Sequence, residues 1–598
     1  MSQYYCNPVN IDYRYQFYHD PRSGQKAVAR EAADPSLILF HGKYYLFASM
    51  TLGVWVSEDL VHWSFHRLPD DLPLYDYAPD ARVVGDWVYL CASALGRDCD
   101  HYRTRDIENG PYEKISGTFP FWDPNLFLDD DGRLYFYWGC SSVTPLYGVE
   151  LDPKTLRPLT ERKEILFSHP MENGFERNGD DNRLTPLSDE ETEARLLAVC
   201  AQKGLDPKTL PPDMIEMGKG FLKQTPYLEG SWMTKHGGKY YLQYAVTGTH
   251  FNVYADGVAV SDSPLGPFKT AENNPYSCKL GGFIEGAGHG STLKDLTGAW
   301  WHTATMRISV NHVFERRVGL WPAGFDGAGN LFCSQRYGDW PINADKVRMD
   351  PFADPDWMLL GYQAKAAASS SSPGKGPELA VNEDIRTWWQ AGSNKPGEWL
   401  SIDLGAPKTV HAVQINFADD RLDLPAPGEI NKEAGRYIDP DSHATRWILE
   451  SSLDGEHWEV FEDKSKADTC LPHDFLVRED GVVTRYLRLT VTEVPFGVPA
   501  CISGLRVFGK AEGDAPKEPV YAVSREGDLD AKVTIEPGDG AVGHVVTWGM
   551  APDRLYHSKM TFANEVRITS LMKDRAAYVR VETFNESGIT KGQKVIRI

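Results

Sequence analysis

The sequence predicts an all-β chain: a five-bladed β-propeller followed by two β-sandwiches. A strand–turn–strand pattern recurs five times in the first 340 residues, and beyond Trp340-Pro341 it gives way to strands of a different spacing. The length of 598 residues also exceeds what one hydrophobic core supports, with a prior of roughly three or four domains.

Each repeat is an acidic or histidine residue, a short apolar strand, a Gly/Asp turn and an aromatic strand. The first runs from Asp34 through Leu37-Ile38-Leu39-Phe40 and His41-Gly42 to Tyr44-Tyr45-Leu46-Phe47. The second spans Asp80, the turn Gly85-Asp86 and Trp87-Val88-Tyr89-Leu90; the third spans Asp123, Asp129 to Gly132 and Leu134 to Trp138. The fourth begins at Glu229 and turns at Gly237-Gly238; the fifth begins at His289 and turns between Asp295 and Gly298. Asp34, Asp80 and Asp123 stand 46 and 43 residues apart, the period of a propeller blade. The longer gap before Glu229 holds an insertion at about 172–222, with Ser188 and Glu191 set as a capping box for a helix. This insertion is expected at the rim of the site.

In a propeller the first strand of each blade lines the axis, so Asp34, Asp80, Asp123, Glu229 and His289 are expected to converge at one mouth. Crowded carboxylates repel, which raises the pKa of at least one of them. A carboxylic acid beside a carboxylate base is the minimal equipment for cleaving a glycosidic bond. An isolated Asp before Pro is usually a turn residue, and its repetition in blade register argues against that reading. Asp80 is the exception: it follows Pro79, has Arg82 as its expected partner, and is assigned a structural role.

Residues 30–340 resemble the family 43 glycoside hydrolases, which are five-bladed β-propellers. The resemblance rests on Ala33-Asp34-Pro35-Ser36, Ala78-Pro79-Asp80, Phe121-Trp122-Asp123-Pro124, Glu229-Gly230 and Gly288-His289-Gly290-Ser291, in that order. It implies an inverting mechanism in which Asp34 is the general base, Glu229 the general acid and Asp123 the residue that orients the acid and tunes it. It further implies that Arg316, with Arg317 as the fallback, hydrogen-bonds the sugar. The other reading of Arg316 is a surface residue paired to Glu315. His289 matches the family's axial His, near which many members hold a water-coordinated calcium; no cofactor is otherwise required. Trp122 is either a stacking surface for sugar or part of the blade packing. Glu229-Gly230-Ser231-Trp232 departs from the Glu-Gly-Pro-His form common in β-xylosidases, which leaves the sugar open.

The propeller is expected over 1–345. Residues 362–512 contain Trp388-Trp389, Gly397-Glu398-Trp399-Leu400 and Ile502-Ser503-Gly504-Leu505, and they are similar to discoidin (coagulation factor 5/8 type C) jelly rolls. Trp388, Trp399 and Trp458 are expected in its core, with docking on the propeller as its role at least as much as sugar binding. Residues 516–598 resemble a fibronectin type III sandwich, through Tyr578 and Asn585-Glu586-Ser587-Gly588.

Composition narrows the partners. Lys and Arg number 62 against 84 Asp and Glu, a net charge of −22 that opposes binding to nucleic acid or anionic membranes. An oligosaccharide is the expected partner. The opening Met1-Ser2-Gln3-Tyr4-Tyr5 lacks a basic region followed by an apolar stretch. The nine cysteines are odd in number and without a CxxC pair, so a reducing cytoplasm is the expected compartment. The expected activity is exo-release of terminal β-D-xylose or α-L-arabinofuranose from plant-wall oligosaccharides. The alternatives are a galactan- or arabinan-active relative and a non-catalytic carbohydrate-binding protein.

Overall fold

The structure, a computed structural model, describes residues 2–20, 24–94, 96–536 and 538–598. Five four-stranded blades follow one another along the chain, the first three as separate antiparallel sheets and the last two joined into one eight-stranded sheet by a single parallel pairing, Ala255 with Ala287. The first is Ser36–Phe40, Lys43–Phe47, Gly53–Ser57 and Ser64–Arg67. The others begin with inner strands Tyr77–Val84, Asn125–Leu128, Leu228–His236 and Glu285–Lys294. Tyr44, Trp55, Trp301 and Trp321 are buried in one cluster between the first and fifth blades, so the strand aromatics are core residues.

The inner strands are tied into a ring by buried hydrogen bonds. Ser291 Oγ accepts from Leu37 N at 3.0 Å, and Ser36 Oγ accepts from Ala81 N at 3.0 Å. Asp80 Oδ2 accepts from Leu126 N at 2.7 Å, and Asn125 Oδ1 accepts from Met233 N at 2.8 Å. Trp232 Nε1 donates to Thr292 O at 3.1 Å and closes the circle. Each bond satisfies a donor that burial would otherwise strand.

Just ahead of these residues the backbone turns left-handed in every blade: φ is 51° at Asp34, 49° at Ala78, 48° at Asp123, 63° at Gly230 and 50° at His289. Asp80 therefore does not share the register of Asp34 and Asp123, as the sequence suggested. Ala78 holds that place, and Asp80 lies two residues further along, among the ring residues. Its side-chain partner is Asn125 Nδ2 at 2.9 Å rather than Arg82. Arg82 instead donates to the backbone oxygens of Leu126 and Met233 and covers the Trp232 ring at 3.8 Å.

The second module is an eight-stranded sheet assembly whose long strands are Glu398–Phe417, His473–Glu493 and Cys501–Lys510. Of the three tryptophans expected in its core, Trp388 is buried, as are Trp389 and Trp447, whereas Trp399 and Trp458 are half-buried, with Arg488 over the Trp458 ring at 4.1 Å. The hairpin Arg14–His19 and Lys26–Glu31 lies outside the five blades and is completed by Arg436–Ile438 of this module. The third module pairs a three-stranded sheet with a five-stranded one, and Trp548 is packed in its core.

The insertion carries helix Asp189–Gln202, capped by Ser188 and Glu191 in a full capping box, and helix Pro212–Leu222. Its base is clamped between modules. Arg177 bonds Asp530 and Thr569 O of the third module, and Asp180 pairs with Arg307 of the fifth blade at 3.0 Å. Among the described residues no helix is long and apolar enough to cross a membrane, and the nine cysteines are free.

Asn125→Ala removes the acceptor for Met233 N and the donor to Asp80 in one step. It is expected to cost about 2–4 kcal/mol, read as a lowered thermal unfolding midpoint; an unchanged midpoint contradicts the ring.

Candidate active site

The left-handed residues tip their side chains together at the mouth of the propeller. Asp34 and Asp123 are buried, and Glu229, one residue ahead of Gly230, is half-buried. His289 Nδ1 lies 3.4 Å from Asp34 Oδ1 and 3.7 Å from Asp123 Oδ2. Side-chain ligand atoms of Asp123, Cys140 and Glu229 all fall within 4.8 Å of one another, a group that does not include Asp34.

Two charge environments result. At Asp34, burial alone would raise the pKa. The Arg316 guanidinium, His289 and Ser49 outweigh it and hold the carboxyl below its ordinary value. Arg316 Nη1 donates to Asp34 Oδ1 at 3.1 Å and Ser49 Oγ to Oδ2 at 2.7 Å. Asp123 has no such cation at bonding distance. Burial, with repulsion from Glu229 and Asp34, outweighs His289 and pushes it up to about 7. Glu229 in turn accepts from Tyr254 OH at 2.5 Å and from Cys140 Sγ at 3.1 Å.

Residues 26–179 and 199–327 match the profile of glycosyl hydrolases family 43. The chain is 32% identical over 277 residues to a β-xylosidase of Xylanibacter ruminicola, spanning 40% of this chain and 77% of that protein. It belongs to glycosyl hydrolase family 43. Xylosidase/arabinosidase 43A of Humicola insolens is 25% identical over 325 residues, 48% of this chain and 92% of that protein. A β-D-galactofuranosidase of Aspergillus niger is 41% identical over 275 residues, 40% of this chain and 63% of that protein. Residues 365–426 match the F5/8 type C domain.

In this family 43 glycosidase the structure brings Asp34, Asp123, Glu229, His289 and Arg316 to one place. Arg316 is buried against Glu31 and Asp34, while Glu315 turns to Asn311. Arg317 points the other way: its Nε meets His473 Nε2 of the second module at 2.8 Å. Trp122 is half-buried beside Asp123, and its backbone oxygen accepts from Gly139 N. Among the described residues His289 joins no group of three metal-ligating side chains. Calcium takes six to eight oxygens, so an ion there would draw on little of the protein.

Tyr254, Cys140, Ser49 and Glu31 escaped the sequence reading. Glu31 sits three residues before Asp34, where a count of nearby acids would have found it. Tyr254 and Cys140 lie just ahead of the fourth blade's third strand and just after the third blade's second strand, with nothing in their spacing to mark them.

Gly230 is required by its conformation and its contact: φ is 63°, and a Cβ there would stand 2.7 Å from His289 Cγ. Gly230→Ala is expected to displace His289 and lower kcat by about 100-fold while the protein remains folded by circular dichroism. Wild-type kcat in that variant contradicts the placement of His289.

Proposed function

We propose that the protein is an inverting exo-glycosidase that releases terminal β-D-xylose or α-L-arabinofuranose from plant-wall oligosaccharides. The observation that carries this is the one-sided placement of Arg316, which bonds Asp34 at 3.1 Å while Asp123 and Glu229 stand together away from it. Asp34, held ionised by Arg316, accepts a proton from water as its oxygen attacks the anomeric carbon. Glu229, the most exposed of the three, gives a proton to the glycosidic oxygen as the bond to the anomeric carbon breaks. Asp123 keeps a proton available beside Glu229 near neutrality. The names of the xylosidase and arabinosidase relatives support the pentose, and the galactofuranosidase name makes a galactofuranoside the third sugar to assay. The insertion, fixed on both sides, supports closure of the mouth into a pocket for a chain end.

Hydrolysis of p-nitrophenyl β-D-xyloside, α-L-arabinofuranoside and β-D-galactofuranoside tests the reading. Wild type is expected to cleave at least one pentoside, and Glu229→Ala is expected to fall by about 10²–10⁴-fold. Equal rates in both proteins refute the acid; no cleavage by wild type favours a binding protein.

The pH profile carries the signs of the two environments. Activity needs Asp34 deprotonated, so kcat/KM rises with pH through a value below the ordinary Asp range. It also needs the proton that Asp123 holds beside the acid, so it falls as pH passes about 7, where Asp123 gives that proton up. A rate that stays flat from about pH 5 to 9 contradicts the assignment.

A further inference from the structure

Arg316 reaches Asp34 with only one of its nitrogens. Its Nε donates to Glu31 Oε1 at 3.0 Å, and Nη2 bonds the same oxygen. Glu31 is completely buried, and its other oxygen takes Tyr18 OH at 2.6 Å and Arg436 Nη1 at 2.7 Å. Arg436 belongs to the second module, 405 residues further along the chain. The pairing Tyr18↔Arg436 and Gln16↔Ile438 sets it in the N-terminal hairpin sheet. There its guanidinium also bonds Gln16 and the hydroxyl of Tyr77. It is 1% exposed.

Asp34, Arg316, Glu31 and Arg436 thus form one buried chain of alternating charge, two carboxylates and two guanidiniums. The neighbours keep that balance. His312, stacked on Tyr18 at 3.5 Å, has its pKa pushed down to about 4 by burial and is neutral. On the far side Asp34 faces His289. Taking Arg436 away leaves Glu31 with one cation for two oxygens, and among the described residues Arg316 is the guanidinium left to serve it.

We propose that Arg436 of the discoidin-like module is a positioning residue for the active site. Through Glu31 it leaves Arg316 free to hold Asp34. The second module then completes the catalytic site as well as docking on the propeller. The proposal rests on the reading of Asp34 and Arg316 as working residues.

The test compares full-length wild type with Arg436→Met, Arg436→Lys and the double variant Glu31→Gln/Arg436→Met. In the crystal structure of Arg436→Met, the Arg316–Asp34 contact, 3.1 Å in the wild type, is expected to open beyond bonding distance. On whichever glycoside the wild type cleaves, kcat/KM is expected to fall by about 10- to 100-fold. The double variant removes one charge of each sign and is expected to regain most of that loss, which a merely structural Arg436 would not allow. Arg436→Lys keeps the charge, is expected to lie between wild type and Arg436→Met, and serves if Arg436→Met does not fold. An intact Arg316–Asp34 contact with wild-type kcat/KM in Arg436→Met overturns the proposal, as does a double variant no better than the single. If the wild type cleaves no glycoside, the functional reading fails, and the crystallographic distance still decides the proposal.

Discussion

The ring of hydrogen bonds between inner strands is the constraint on which the rest of the structure depends. A propeller blade alone exposes edges and fixes nothing about its neighbour's angle. Here Ser36, Asp80, Asn125, Trp232 and Ser291 pass a bond from each blade to the next, all of them buried. With the ring closed, the left-handed residue before each ring position must point its side chain at the mouth. Asp34, Asp123 and His289 are gathered there by that turn, and Glu229 arrives beside them from the position just ahead of the left-handed Gly230. Non-glycine residues in that conformation are uncommon and are retained where surrounding structure fixes them.

Convergence creates the chemistry because the cation is placed on one side only. Arg316 lies against Asp34, and Asp123 is left with burial, two like charges and a histidine. The same carboxyl chemistry therefore yields a pKa held below its ordinary value at Asp34 and one pushed up to about 7 at Asp123. Bulk composition has no part in this. The net charge of −22 belongs to the whole chain, whereas the site is decided by where a few buried guanidiniums sit.

Much of this was legible in the sequence. The five blades show as repeats because Gly turns and aromatic strands recur, and Ser188 with Glu191 marks a helix cap by local spacing. Asp34, Asp123 and Glu229 stand out because each opens a repeat. Asp80 also opens a repeat, and its place in the ring agrees with the structural role assigned to it, but the repeat misleads on its register: its motif is displaced by two residues, and the backbone angle at Ala78 shows which residue faces the mouth. Tyr254 and Cys140 were illegible because they come from other strands. Arg436 was illegible because its partner is some 400 residues away, and sequence periodicity carries no information on pairing between modules.

The stereochemistry of the first product tests the account most directly. Proton NMR during hydrolysis, read before mutarotation, should show the sugar released with anomeric configuration opposite to that of the substrate, followed by drift to equilibrium. Inversion is what a water activated by Asp34 must give. Initial retention would require a covalent glycosyl intermediate and would contradict Asp34 as a base acting on water.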